Sequence, residues 1–249
     1  GDFDQCQALV KAVFNDRDLV SRLNINSANS INIARLFAQV CYYFEAVAQL
    51  TPAQRQNLVI AVPSGNFGNI CAGILASVSG LPVKHFLAAC NENDVIPNFM
   101  QTQHYQPKKA VATVSNAMDV GNPSNFVRIL EIFKQQFQAL AAHFSSVSIS
   151  DTTTIATIAR VYQQYGYTLD PHGAVGFAAL ENHLKDTNDK GIVLETAHPI
   201  KFPDTVEKAT GIAPAYPEQV KHLLGKQKQS VVISPDFEAV KQWLLNRKP

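Results

Sequence analysis

The sequence predicts an α/β protein with a mostly parallel sheet and flanking helices, and three observations carry that reading. Short apolar runs of strand length alternate with longer runs whose apolar residues recur every three or four positions. Several of the short runs lack polar alternation, as strands buried on both faces do. The connections are short, and strand–helix alternation with short connections favours parallel pairing.

The predicted strands are residues 58–62, 83–88, 110–114, 147–149, 192–194 and 231–233. A first helical stripe, Ile33, Phe37, Val40, Cys41, Phe44 and Ala48, follows the cap pair Asn29-Ser30. A second, Phe126, Leu130, Phe133, Phe137 and Leu140, follows Asn122-Pro123, a cap with proline at the first helical position. Ile155, Ile158, Ala159 and Tyr162 follow the cap Asp151. Phe177, Leu180 and Leu184 follow Asp170-Pro171, and Phe237, Val240 and Leu244 follow Ser234-Pro235. Composition shifts near residue 203, after which Pro, Lys and Gln become frequent. The expected organisation is therefore an α/β region over 1–205 and a peripheral element over 206–249.

Composition removes several classes of function. The 249 residues hold 21 Lys and Arg against 20 Asp and Glu, a formal charge of +1, which argues against a nucleic-acid or membrane-surface protein. No apolar run reaches the roughly 18 residues a bilayer span needs. Cys6, Cys41, Cys71 and Cys90 form no CxxC pair, so neither a zinc ribbon nor a disulfide framework is expected. They read as buried, inert thiols in a reducing cytoplasm, and no metal site is expected.

The most informative string is Val62-Pro63-Ser64-Gly65-Asn66-Phe67-Gly68-Asn69, which closes one predicted strand and opens an apolar helix. Two glycines three apart let the backbone turn sharply and present bare N–H groups ahead of a helix N-terminus, which is an anion cradle. A Walker loop would need a lysine, and a dinucleotide loop a third glycine and an acidic residue after the next strand; neither is present. A single terminal phosphate, held by backbone and Asn side chains, fits better. The competing reading is an ordinary strand-to-helix turn that needs glycine for packing.

With its neighbours, this string resembles pyridoxal-phosphate enzymes of the tryptophan-synthase-β fold type (fold type II), and in detail the threonine synthase family. The resemblance runs through Asn26-Ser27-Ala28-Asn29-Ser30-Ile31-Asn32-Ile33-Ala34-Arg35, Cys41-Tyr42-Tyr43-Phe44-Glu45, the glycine loop and Asn93-Asp94. It continues through Ser115-Asn116-Ala117-Met118-Asp119-Val120, Pro171-His172 and Thr196-Ala197-His198-Pro199-x-Lys201-Phe202. It implies the conversion of O-phosphohomoserine and water to L-threonine and phosphate, the last step of threonine biosynthesis, with pyridoxal 5'-phosphate as electron sink. By the match, the amides of Gly65, Asn66, Phe67, Gly68 and Asn69 hold the cofactor phosphate, and the Thr196 hydroxyl meets the pyridine nitrogen. Ser30, Asn32 and Arg35 are expected to line or support the substrate pocket. The string 115–119 matches without a role, and His172 and His198, each beside a proline, read as structural.

The resemblance also implies something missing. The family's Schiff-base lysine lies upstream of the Asn-Ser-Ile-Asn string, and no lysine here stands in its motif; Lys201 is a matched position but not that one. The chain is thus expected to correspond to the C-terminal three-fifths or so of a threonine synthase. No catalytic residue is expected in it; alone it should be inactive and bind the cofactor weakly if at all, with uncovered apolar surface that invites self-association. The alternatives are a non-catalytic phospholigand-binding module of the same fold, and another lyase of the fold type such as a serine or threonine dehydratase.

Overall fold

A computed structural model describes residue 1 and residues 3–246. Two compact units emerge: Asn29–Ala215, and the chain ends Gly1–Ala28 with Tyr216–Pro249. In the unit of the ends, helices α1 (Phe3–Asn15), α2 (Arg17–Arg22) and the short α11 (Glu218–Lys221) accompany α12 (Phe237–Asn246), whose Lys241 ammonium lies 2.7 Å from Asp16.

The larger unit opens with α3 (Ala34–Ala48), followed by β1 (Leu58–Pro63), α4 (Gly68–Val78), β2 (His85–Cys90) and α5 (Val95–Thr102). Then come α6 (Phe126–Ile132), α7 (Phe137–His143), β3 (Phe144–Ser148), α8 (Asp151–Tyr165), α9 (Pro171–Leu184), β4 (Lys190–Val193) and α10 (Pro203–Thr210). All strand pairs are parallel, in the order β3-β2-β1-β4. The order reverses between β1 and β4: the chain steps outward from β1 to β3, then crosses back to β1's other side.

Why the central strands lack alternation is now visible. Leu58, Ile60 and Val62 of β1, with Phe86, Ala88 and Cys90 of β2, pack with Tyr43, Ile70, Ile74 and Phe126. Val59, Ala61, Leu87 and Ala89 pack instead with Val175, Ala178 and Leu180 of α9. Helices cover both faces, so every position of 58–63 and 86–90 is apolar.

Four sequence expectations are corrected. Residues 110–114 run without a ladder because side chains take their amides: Asn93 Oδ1 accepts Val111 N–H at 2.8 Å, Asp119 Oδ2 accepts Thr113 N–H at 3.1 Å, and Asp151 accepts Val114 N–H at 3.2 Å. Residues 231–233 pair with no strand, and Val232 is 95% exposed. The second stripe is two helices, broken where Lys134 and Gln135 turn left-handed (φ 52° and 58°). Gln135 N–H bonds Leu130 O and Lys134 N–H bonds Glu131 O, a Schellman ending with lysine in glycine's usual place. Finally, α3 buries Leu36, Tyr43 and Val47, whereas Ile33, Phe37, Cys41, Phe44 and Ala48 of the expected stripe are exposed.

Smaller differences concern caps and thiols. Ser150 rather than Asp151 caps α8, accepting Thr153 N–H, and Asn32 rather than Asn29 or Ser30 accepts the first amide of α3. Cys6 and Cys41 are exposed; only Cys71 and Cys90 are buried, and burial pushes their thiols up to about 11 and about 12. No helix of the described residues is long and apolar enough to cross a membrane.

Candidate active site

The glycine loop begins where β1 ends. Ser64 N–H still reaches Ala89 O at 2.9 Å, extending the parallel ladder by one bond, and the chain then leaves the sheet. Phe67 sits left-handed (φ 60°), a conformation that costs a residue with a Cβ about 1–2 kcal/mol. Its buried ring holds it there, edge-on to Phe126 at 5.8 Å and tilted against Phe144 at 6.5 Å. Cys71 N–H to Phe67 O is the first bond of α4. The amides of Gly65, Asn66, Phe67, Gly68 and Asn69 therefore precede the helical ladder, and none donates to a protein acceptor among the described residues. All five residues line a cavity of about 700 Å³.

Side chains from distant positions buttress this row of donors. Asn66 donates to Ser30 Oγ at 3.0 Å and accepts Ser124 N–H at 2.7 Å, so its amide belongs to the scaffold. Asn125 reaches Ser30 Oγ at 3.1 Å and Asn66 O at 2.9 Å. Arg128 forks onto the carbonyls of Ser30 and Ile31, both at 2.7 Å. Tyr43 donates to Asn69 O at 2.9 Å, and Tyr42 also donates to the Asn69 side chain. Beneath the loop, the Met118 backbone comes so close to Gly65 that an added Cβ would lie 2.6 Å from Met118 Cα.

The facing wall follows β4. Leu194, Glu195, Thr196 and Ala197 line the cavity, with Lys201 and Phe202 beyond. The cavity thus lies outside the carboxyl ends of β1 and β4, the two strands between which the order reverses. That is where open α/β sheets bind ligands.

A carboxyl pair adjoins this wall. Asp170 caps α9, accepting the amides of His172 at 2.8 Å and Gly173 at 3.3 Å, and its Oδ1 lies 2.6 Å from His172 Nδ1. Burial pushes Asp170 up, but hydrogen bonds from His172 and Glu195 outweigh it and hold it below the usual carboxylate range. Glu195 goes the other way. Desolvation of its carboxyl, then the hydrogen bond and charge of Asp170, raise it to about 8. Glu195 as a residue is exposed, yet its Oε1 would lie only 2.1 Å from a Cβ placed on Gly173. Its acid end is therefore crowded by protein.

The structure gathers most of the expected site residues. Gly65, Asn66, Phe67, Gly68, Asn69, Thr196 and Ser30 all line the one cavity. Asn32 and Arg35 do not: Asn32 Oδ1 accepts Ala34 N–H at 3.1 Å, and Arg35 is exposed on the first turn of α3. His198 Nδ1 accepts Ile200 N–H, a local cap, whereas His172 lines the cavity. Sequence reasoning missed Arg128, Asn125 and Glu195. Arg128 lies 98 residues from Ser30 with no local signal, but Glu195 stands beside Thr196 and could have been marked as an acid at a strand's carboxyl end.

Comparison with known proteins decides the family. The model of the family described as Pyridoxal-phosphate dependent enzyme matches residues 1–195. The chain belongs to the pyridoxal-phosphate dependent enzymes. A second model, Threonine synthase, C-terminal, matches residues 173–244. The chain is 46% identical to the threonine synthase of Buchnera aphidicola subsp. Baizongia pistaciae over 247 residues, covering 99% of this chain and 57% of that relative. It is 45% identical to that of Escherichia coli (strain K12) over 248 residues, 100% of this chain and 57% of the relative. The crystal structure of the Escherichia coli threonine synthase matches with a TM-score of 0.93, covering 99% of this chain and 57% of that one. The PLP-bound threonine synthase of Brucella melitensis matches with a TM-score of 0.82 at 33% identity, covering 98% of this chain and 57% of that one. This chain spans a little over half the length of these relatives.

Pyridoxal phosphate is the cofactor of this pyridoxal-phosphate dependent family, and the cavity fits such a group. Its phosphate is an anion that needs several donors, and five successive amides without protein acceptors supply them at a helix N-terminus.

Proposed function

We propose that this chain carries the cofactor-phosphate side of a threonine synthase site, which converts O-phosphohomoserine and water to L-threonine and phosphate. The observation that carries the reading is the row of unpartnered amides at residues 65–69, lining the cavity where the strand order reverses. The 45–46% identity to threonine synthases over nearly the whole chain supports this reaction over a dehydratase or a non-catalytic module.

In this reading the five amides bind the cofactor phosphate with backbone dipoles. Thr196 offers a hydroxyl to the ring nitrogen; a hydroxyl donates without forcing a full proton onto the ring, as an ionised acid partner would. When bound, pyridoxal phosphate supplies the electron sink that lets the substrate's phosphate leave and water add. Ser30 stands on the cavity wall as a substrate-side residue, while Asn32 and Arg35 shape the entry to α3. Lys201 is the one lysine lining the cavity among the described residues, and it is assigned no covalent role. The chain by itself is therefore expected to be inactive.

The test compares the chain alone with a fusion that supplies the remaining part of the Escherichia coli relative. The fusion should release phosphate from O-phosphohomoserine and leave serine untouched; the chain alone should release none. A fusion that binds cofactor yet turns over serine, or a lone chain whose absorbance shows the cofactor covalently attached to a lysine, overturns the reading.

A further inference from the structure

The 115–119 turn has no assigned role, and the structure shows what holds it. Ala117 and Met118 line the cavity, and Met118 is the surface against which Gly65 closes. Within the turn, Met118 N–H bonds Ser115 O at 3.0 Å and Asp119 N–H bonds Asn116 O at 3.1 Å. Asp119 anchors its far end, accepting Asn91 at 2.8 Å and the Thr113 hydroxyl at 2.7 Å. The end under the phosphate loop is held differently: Ala117 N–H points at His172 Nε2, 3.2 Å away.

That bond dictates a proton position. A ring nitrogen that accepts carries no hydrogen, so the His172 proton lies on Nδ1, where the Asp170 carboxylate takes it at 2.6 Å. Asp170 is fully buried, and its other hydrogen bonds come from the His172 and Gly173 amides. His172 is 2% exposed, with its ring tilted against Phe202 at 4.8 Å. Neither side chain can swing away.

We propose that Asp170 and His172 are a positioning pair for the phosphate loop: Asp170 fixes the Nδ1–H tautomer, His172 thereby accepts the Ala117 amide, and that bond seats the 115–119 turn under Gly65. The proposal rests on reading the cavity as the cofactor-phosphate site, but its central claim concerns a tautomer and an amide, both measurable without cofactor.

Asp170→Ala tests it. The Oδ1 that takes Nδ1–H also accepts the His172 amide, so Asn would leave an oxygen in that place, whereas Ala removes the acceptor. Nothing then holds the proton on Nδ1, and the ring populates the Nε2–H form, in which donor faces donor at Ala117. In the ¹⁵N-labelled chain, His172 should read Nδ1–H in wild type and show an Nε2–H population in the variant. Ala117 amide exchange should rise at least about tenfold in the variant, and in the fusion with the remaining part of the Escherichia coli relative the dissociation constant for pyridoxal phosphate should rise about tenfold, one hydrogen bond's worth. His172→Gln, whose Oε1 can accept the same amide, should restore Ala117 protection, and His172→Phe should not. If Asp170→Ala fails to fold, the Gln and Phe pair decides alone. An Nε2–H ring in wild type, or equal Ala117 protection in His172→Gln and His172→Phe, overturns the proposal. A fusion with the remaining part of the Escherichia coli relative that shows the Nδ1–H ring and a protected Ala117 but does not bind pyridoxal phosphate overturns the cofactor reading and leaves the pair standing.

Discussion

Gly65→Ala separates a loop shaped for an anion from one shaped only by packing. A Cβ on Gly65 would lie 2.6 Å from Met118 Cα and 3.1 Å from its carbonyl carbon. Carbon atoms settle at about 3.5–4.0 Å, so loop and turn must part by about 1 Å. The turn has little room to give, because Met118 is buried and Ala117 is tied to His172. Overpacking of this kind costs about 1–3 kcal/mol, and losing the Ala117 bond adds about 1 kcal/mol. With a urea slope of about 2–3 kcal/mol/M for a chain of this size, the midpoint should fall by roughly 1 M. The same shift splays the five amides, so affinity for pyridoxal phosphate should drop at least about tenfold. Gly80→Ala is the control: φ is +106° and nothing lies within 4 Å of an added Cβ. It should cost about 1 kcal/mol of backbone strain and leave affinity unchanged. Equal affinity losses in the two variants, or a wild-type midpoint in Gly65→Ala, would refute the argument.

Arg128→Ala removes the fork on Ser30 O and Ile31 O and should destabilise the chain by about 2–4 kcal/mol, with faster hydrogen exchange at residues 30–36. Arg128→Lys should recover little of this, since one ammonium cannot serve both carbonyls in that geometry; full recovery would refute the fork. A pH effect is expected at the amino edge of the sheet, where burial first, and then the His183 charge, bring His85 from its ordinary 6.5 down to about 4. The unfolded chain binds this proton more tightly, so stability falls as pH drops from about 6.5 to 4, by up to about 3 kcal/mol. Urea midpoints across that window should show the fall, His85→Gln should flatten it, and an equally steep variant would sink the assignment.

What the sequence reveals and hides follows a physical rule. β1 and β2 were legible because burial on both faces leaves an unbroken apolar run, and the glycine loop because a close backbone approach admits few residues. Residues 110–114 look like a strand in composition, but their amides go to Asn93, Asp119 and Asp151, partners that no local window contains. The break after α6 is equally silent, since Lys134 takes the left-handed position without glycine to mark it. On α3 both the buried and the exposed face are apolar, so periodicity identifies a helix without choosing which side meets α4. The same limit governs the site: the cradle is written in one string of eight residues, whereas Arg128, Asn125 and the Asp170–His172 pair act across the fold.

Placement at the sheet's reversal, rather than the asparagines of the loop, accounts for the character of this anion site. Asn66 spends both ends of its amide on Ser30 and Ser124, and the Asn69 side-chain oxygen is taken by Tyr42 and Tyr43. Both oxygens are held by the scaffold, and the loop's row of donors toward the cavity is chiefly main chain. Such a set carries no net charge that salt could screen or pH could remove. Its strength depends on how the amides converge, and that convergence is fixed by the left-handed Phe67, by Met118 beneath Gly65 and by the Ser30–Asn66–Asn125 bonds above. Substitutions that leave every amide in place but loosen these three supports should therefore weaken anion binding more than replacing the polar loop side chains by isosteres.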